Sequence, residues 1–172
     1  AKSFNFLSFF ALKEGLALVY EALRSPSAAL GIYDELETLF GQRNSESWRT
    51  HFPSFGGTTL GDDSGSLLDF GKKPYRSLLL ARDLTEFDFR QYLFARQCQL
   101  LFTLGYPAQV LTRGIKFISS FEEALTSNKF ARLFIDVWCF GAFMDLAEAC
   151  KAANQSAGND PGINYVLGDA YH

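Results

Sequence analysis

Histidine is nearly absent from this chain of 172 residues: His51 lies in a loop and His172 at the very end. A His-based catalytic triad or a zinc site is therefore poorly provided for. Cysteine is scarce as well. Cys98, Cys139 and Cys150 sit inside helical apolar runs without paired metal-type spacing, so they read as reduced, packed thiols of a cytosolic protein. Long apolar runs are missing: Lys13 and Glu14 interrupt the stretch 4–23, and Asp136 and Asp145 interrupt 133–149. Neither offers the ~20 clean residues of a membrane span. The net charge of −3 and a pI near 5.4 argue against a general nucleic-acid binder, which needs a concentrated basic face. No G-x-x-x-x-G-K-S/T run, no G-x-G-x-x-G after a strand and no G-x-S-x-G elbow occurs, and no strand pattern of any length is present.

What is present is apolar and aromatic. Apolar residues make up 48% of the chain and aromatics 16%, with 18 Phe, which marks a folded protein with one domain as the default. The most informative stretch is 86–105, EFDFRQYLFARQCQLLFTLG. At ~100° per residue, Phe89, Leu93, Phe94, Cys98, Leu100, Leu101 and Leu104 gather on one broad arc of a helix. Arg90 and Gln97 fall near the centre of that arc, while Asp88, Gln91, Gln99 and Thr103 mark an opposite, wetter side. A surface helix does not place an arginine there, so this helix is expected to pack on more than one side.

Around it the chain reads as helical hairpins. Helix A spans about 4–24 and helix B about 28–40, separated by Ser25-Pro26-Ser27, with Ser27 as the expected cap. Ala29, Ile32, Tyr33, Leu36, Leu39 and Phe40 form the seam of helix B, and Gly41 is a plausible stop. Residues 42–72 are glycine-rich with scattered Trp48, Phe52, Phe55, Leu60 and Phe70, which suits a partly ordered surface loop anchored by its aromatics. A short helix is expected over 73–82, with Pro74 in its first turn. Helix C follows at 86–104, helix D at 108–126 and helix E at 130–153, the last capped by Asn128 and carrying an Arg132–Asp136 pair. Residues 154–162 read as a polar linker and 163–172 as the start of a further element. The chain begins without Met and is expected to be an internal fragment of a longer protein. The fold class is all-α: antiparallel helical hairpins in series, a tetratricopeptide-like α-solenoid with a long inserted loop.

Candidate sites are few. Asp62, Asp63 and Asp69 lack EF-hand spacing and its terminal Glu, so no metal is assigned. Asp34, Glu35 and Glu37 read as a solvated helix face. Trp138, flanked by Phe134, Ile135 and Phe140, reads as core. Arg90 either lays its stem over apolar surface or reaches Glu35 or Glu37 on helix B, tying the hairpins together. The structural inter-helix candidates are thus Arg90, Gln97, Glu35, Glu37 and Trp138, with no catalytic, cofactor or metal residues. An enzyme would need a convergent site that these residues do not assemble. A generic helical-repeat adaptor, binding peptides in a concave groove, is the alternative to the reading that follows.

KEGLALVYEAL (13–23) and IYDELETLF (32–40) resemble a hairpin of the transport protein particle subunit 10 family, the large TRAPP II-specific subunit that includes the yeast 130 kDa subunit. The FGG, DD, LL and G-x-K-P elements of 55–74 resemble the loop of plant-type members. The segment 87–121, FDFRQYLFARQCQLLFTLGYPAQVLTRGIKFISSF, matches best, and VW (137–138) and YVLGDAY (165–171) continue it in order. The turn at 24–31 departs from the family wording. The resemblance implies a cytoplasmic protein, peripheral at the Golgi and trans-Golgi network, within a multisubunit exchange factor for Rab GTPases. It implies that the catalytic surface belongs to small core subunits, and that the large subunit is a scaffold that favours one Rab over another, with β-sandwich domains beyond its helical part. Its implied partners are other TRAPP subunits and, indirectly, a Rab GTPase. No cofactor and no nucleic acid are implied, and membrane association comes through the complex.

Overall fold

The computed structural model describes residues 4–42, 50–64 and 66–158. Among these residues there are six α-helices and no strand: α1 (Phe6–Ala22), α2 (Pro26–Gln42), α3 (Tyr75–Ala81), α4 (Glu86–Thr103), α5 (Pro107–Ser127) and α6 (Arg132–Gly158). The all-α hairpin class expected from the sequence is the one observed. Trp48 and the element expected from 163 onward lie outside the described residues.

The helix ends are made locally. Asn5 caps α1, its side chain accepting from Ser8 N at 3.0 Å, and Thr85 caps α4 by accepting from Asp88 N. Helix α2 starts at Pro26, with Ser25 O accepting from Ala29 N, so Ser27 is inside the helix and not its cap. Pro at the first helical position has no N–H to leave orphaned, which is why the start moves to it. Four C-termini close alike, by a six-to-one backbone bond over a left-handed residue. Ser25 N donates to Tyr20 O, Asp83 N to Leu78 O, Tyr106 N to Leu101 O and Phe130 N to Leu125 O. The left-handed residues are Arg24, Arg82, Gly105 and Lys129, with φ of 55°, 63°, 78° and 61°. Three of the four are cations placed at the negative end of a helix dipole. Asn128 belongs to this arrangement: its Nδ2 donates to Ala124 O, so it closes α5 and does not open α6. Residues 154–158, expected as linker, continue α6.

The closest helix pairs are α1 with α2 and α5 with α6. The second hairpin is therefore D–E in sequence terms, and helix C (α4) is not half of a hairpin but the wall between two. Phe89, Tyr92, Leu93 and Leu100 of α4 belong to a core built with Phe6, Leu7, Phe10, Tyr33 and Leu36. Phe87, Phe94, Cys98 and Leu101 belong to a second core with Val110, Ile118, Phe121, Trp138 and Leu146. Each side-chain set lies on its own side of the helix at ~100° per residue. In the second core Gly114 lets α5 approach α6 so closely that a Cβ there would collide with Leu146.

Between the two apolar sides of α4 run two polar seams, and the expected wet side is one of them. Asp88 and Gln91 are buried, and Gln99 is half-buried, while Thr103 alone is exposed. Asp88 and Gln91 are covered by residues 50–64 and 66–74, a strap laid along the helix. Its carbonyls at Ser54 and Phe55 accept from Glu86 N and Phe87 N, two donors that α4 cannot satisfy internally. His51 Nδ1 accepts from Phe6 N at the start of α1, and Leu68 N donates to Asp145 Oδ2 of α6 at 2.7 Å. Phe52 enters the first core and Leu67 the second. Gly56 and Gly57 take φ of 85° and 78°, and a Cβ on Gly57 would lie 2.8 Å from Phe87. The aromatic anchoring expected of this loop holds for Phe52, Phe55 and Phe70, while Leu60 is fully exposed. Helix α3 begins after Pro74, which caps it from outside.

Candidate functional site

The opposite seam of α4 is open. Helices α2 and α5 stand on either side of it and leave a cleft of about 900 Å³ floored by Phe89, Arg90, Leu93, Phe94 and Gln97. Asp34 and Glu37 project from α2, and Arg113, Lys116 and Ser120 from α5. Buried Gln97 donates from Nε2 to Asp34 Oδ1 at 2.9 Å and to Glu37 Oε2 at 2.8 Å. Arg113 grips the same Asp34 with both terminal nitrogens, at 2.7 and 3.2 Å, a planar two-point pair that raises the arginine's proton affinity. One carboxylate thus joins three helices.

Arg90 sits on the same seam. Its Nη2 donates to Ser120 Oγ at 3.0 Å and its guanidinium lies 5.1 Å from the centre of the Phe121 ring. This contact reaches α5, whereas the expected one reached helix B. Glu35, one of its two expected acceptors, is held instead by Lys13 of α1 at 2.8 and 2.9 Å. The acids of helix B are not a simple solvated face either, because Asp34 and Glu37 point into the cleft. Trp138 is fully buried, 4.5 Å from the Phe121 ring centre, with its Nε1 unpartnered among the described residues.

Two networks escaped the sequence reading. Buried Glu14 of α1 accepts from Tyr92 OH and from Arg76 Nη1. Arg96 donates to Glu21 of α1, to Gln99 and to Tyr33 OH, and lies 5.0 Å from the Phe70 ring centre. Burial pushes the Tyr33 phenol up to about 12, with Arg96 only partly offsetting it. The sequence signal was the spacing of Glu14 and Glu21, seven residues apart and hence on one side of a helix whose remaining residues are mostly apolar. Under the strap, Lys73 bridges Asp62 at 2.5 Å and Asp88 at 2.7 Å. Burial works against the ionised Asp62, but hydrogen bonds from Lys73 and Thr59 outweigh it and hold the carboxyl below its ordinary value. Burial also opposes the charge on Lys73, and its two carboxylates win there too. Neighbouring Lys72 donates to Ser66 O and Gln91 Oε1 and to no carboxylate among the described residues, and burial and Lys73 lower its proton affinity.

The thiols of Cys98, Cys139 and Cys150 are free, and burial raises all three above the ordinary thiol range, which disfavours the reactive thiolate. Among the described residues no group of three or more His, Cys, Asp or Glu is placed to hold a metal ion. None of the described helices is long and apolar enough to cross a membrane. The side chains of the cleft engage one another across it, an arrangement that fastens helices.

No family model matches the chain, and no solved structure does. Curated relatives do. The chain is 39% identical over 153 residues to trafficking protein particle complex subunit 10 of Dictyostelium discoideum, covering 86% of this chain and 10% of the relative. It is 39% identical over 173 residues to the trafficking protein particle complex II-specific subunit 130 homolog of Arabidopsis thaliana, covering 97% and 14%. It is 29% identical over 177 residues to subunit 10 of Mus musculus, covering 95% and 14%. The chain thus spans 10–14% of the length of these relatives. With identity at this level sustained over most of its length, the chain belongs to the family of trafficking protein particle complex subunit 10 and the II-specific subunit 130 homologues.

Proposed function

We propose that this chain is a scaffold segment of a TRAPP II complex subunit, one helical-repeat stretch of a longer polypeptide. It supports Rab guanine-nucleotide exchange and vesicle transport at the Golgi and trans-Golgi network. The observation that carries this reading is the use made of the polar side chains. Arg90, Gln97, Arg113 and Asp34 join α2, α4 and α5, while Glu14, Glu21 and Arg96 join α1 to α4. The groups that a catalytic site would bring to a substrate are committed to holding helices in place. Arg90, Gln97 and Glu37 act as inter-helix fasteners around α4, Glu35 as a tie within the first hairpin and Trp138 as packing within the second. The segment itself is non-catalytic. Its partners are other TRAPP subunits, it meets a Rab GTPase only through them, and the complex rather than this segment brings it to the membrane.

Nucleotide release tests the reading. Complex assembled with the full-length subunit accelerates GDP release from a Rab, and residues 1–172 alone leave the intrinsic rate unchanged. Acceleration by the isolated segment would overturn its non-catalytic role.

A further inference from the structure

Each hairpin packs on its own side of α4, and α2 and α5 are not among the closely packed helix pairs. Along one seam of α4 the strap joins the two halves. It places Phe52 in the first core and Leu67 in the second, and Leu68 N donates to Asp145. Along the other seam the cleft separates α2 from α5, and the ties are few. Leu30 of α2 packs against both cores. One turn further on, Asp34 takes the two-point grip of Arg113. Beyond that pair, Thr38, Gly41 and Gln42 of α2 line the cleft with Lys116, Phe117 and Ser120 of α5. Among the described residues no hydrogen bond, ion pair or ring contact joins these two stretches.

We propose that the Asp34–Arg113 pair is a latch that sets the angle between the two hairpins, with Leu30 and the strap as the pivot. The inference rests on the scaffold reading for the use of that angle. In a stack of hairpins the small rotation between neighbours fixes the curvature of the whole. Two features make the pair a releasable tie. Asp34 and Arg113 keep 37% and 33% of their side chains exposed, so water and salt reach them. A pair that salt screens is weak enough to open and close. Beneath it, buried Gln97 donates to both Asp34 and Glu37 from α4. When Arg113 lets go, that amide remains with both acids, so release leaves no buried donor or acceptor without a partner at this point.

Distances across the cleft, measured in the full-length subunit within the purified complex, test this. Nitroxides on non-natural residues at Gly41 of α2 and Ser119 of α5, both exposed, report the opening by pulsed dipolar spectroscopy. A second pair, at exposed Ser8 of α1 and Gly31 of α2, reports the first hairpin alone. Arg113→Met keeps the apolar stem and removes the fork. It is expected to lengthen the Gly41–Ser119 distances by more than the width of the wild-type distribution and to leave Ser8–Gly31 unchanged. Raising the salt shifts the wild type the same way. Lys116→Met, on the same wall but outside the pair, shifts neither. If Arg113→Met also moves the control pair, Asp34→Asn, which keeps the side-chain shape, carries the test. Gly41–Ser119 distances that stay put once the pair is broken, or that move equally in Lys116→Met, overturn the inference. A preparation that contains no other TRAPP subunit would strike the scaffold reading and leave the angle measurement standing.

Discussion

At the scale of single residues, what the sequence hid was geometry that side-chain type does not announce. Gly105, at φ 78°, is the one closure a sequence can announce, because glycine is at home at positive φ. Arg24, Arg82 and Lys129 perform the same closure, but an L-residue in the left-handed region carries a steric cost that no sequence pattern flags. Replacing exposed Lys129 with glycine relieves that cost and loosens the unfolded chain. Lys129→Gly is therefore expected to stabilise by up to about 1 kcal/mol in urea denaturation, and a clear loss would contradict the closure described. Asp62 gives a signed pH prediction. Its carboxyl is held below the ordinary value of 3.8, so its contribution is complete above that pH and is lost as pH falls through the lower folded value. The thermal midpoint of the wild type should exceed that of Asp62→Asn at neutral pH, and the difference should shrink on acidification below about pH 4. A difference that grows in acid would remove Lys73–Asp62 from the account.

At the scale of elements, the five longer helices are legible in apolar spacing, which is local information, and the short one over 75–81 in Pro74. Apolar spacing could not say which helices pair. The breadth of the apolar arc on 86–104 was visible, but one arc on a wheel does not separate two cores that meet at adjacent sides. Nor could it foresee the strap: Asp88 and Gln91 look like surface residues until a glycine-rich segment folded from distant contacts covers them. In the sequence Arg90 stands near the centre of the apolar arc, open either to a stem laid over apolar surface or to a carboxylate of helix B, whereas its guanidinium reaches across the cleft to Ser120. The shared wall makes α4 the element on which both hairpins depend. Phe89 packs edge-on against Phe6 and Phe10, 5.4 and 5.1 Å between centres, so Phe89→Ala should cost about 3–5 kcal/mol. Because α4 also carries Phe94 and Leu101, amide exchange in α1–α2 and in α5–α6 should accelerate together. Acceleration confined to the first hairpin would show that the two cores are independent.

At the scale of the whole molecule, two small cores share one helix, three polar networks hold it, and the outer faces of α1 and α6 expose rows of large apolar side chains. Such faces on a chain built from ties and walls suit a part of a larger assembly. Family wording makes the family nameable, because six segments in order carry more information than any short motif. The longest matching stretches, 13–23, 32–40 and 87–121, lie on α1, α2, α4 and α5, which are also the helices that the polar networks join. The central claim is that this segment belongs to a scaffold subunit of a TRAPP complex. Affinity purification of the tagged full-length subunit from its own cells, with the bound proteins identified by mass spectrometry, tests it most directly. Recovery of the core TRAPP subunits in constant proportion is the result expected, and recovery of the intact subunit without them would contradict it.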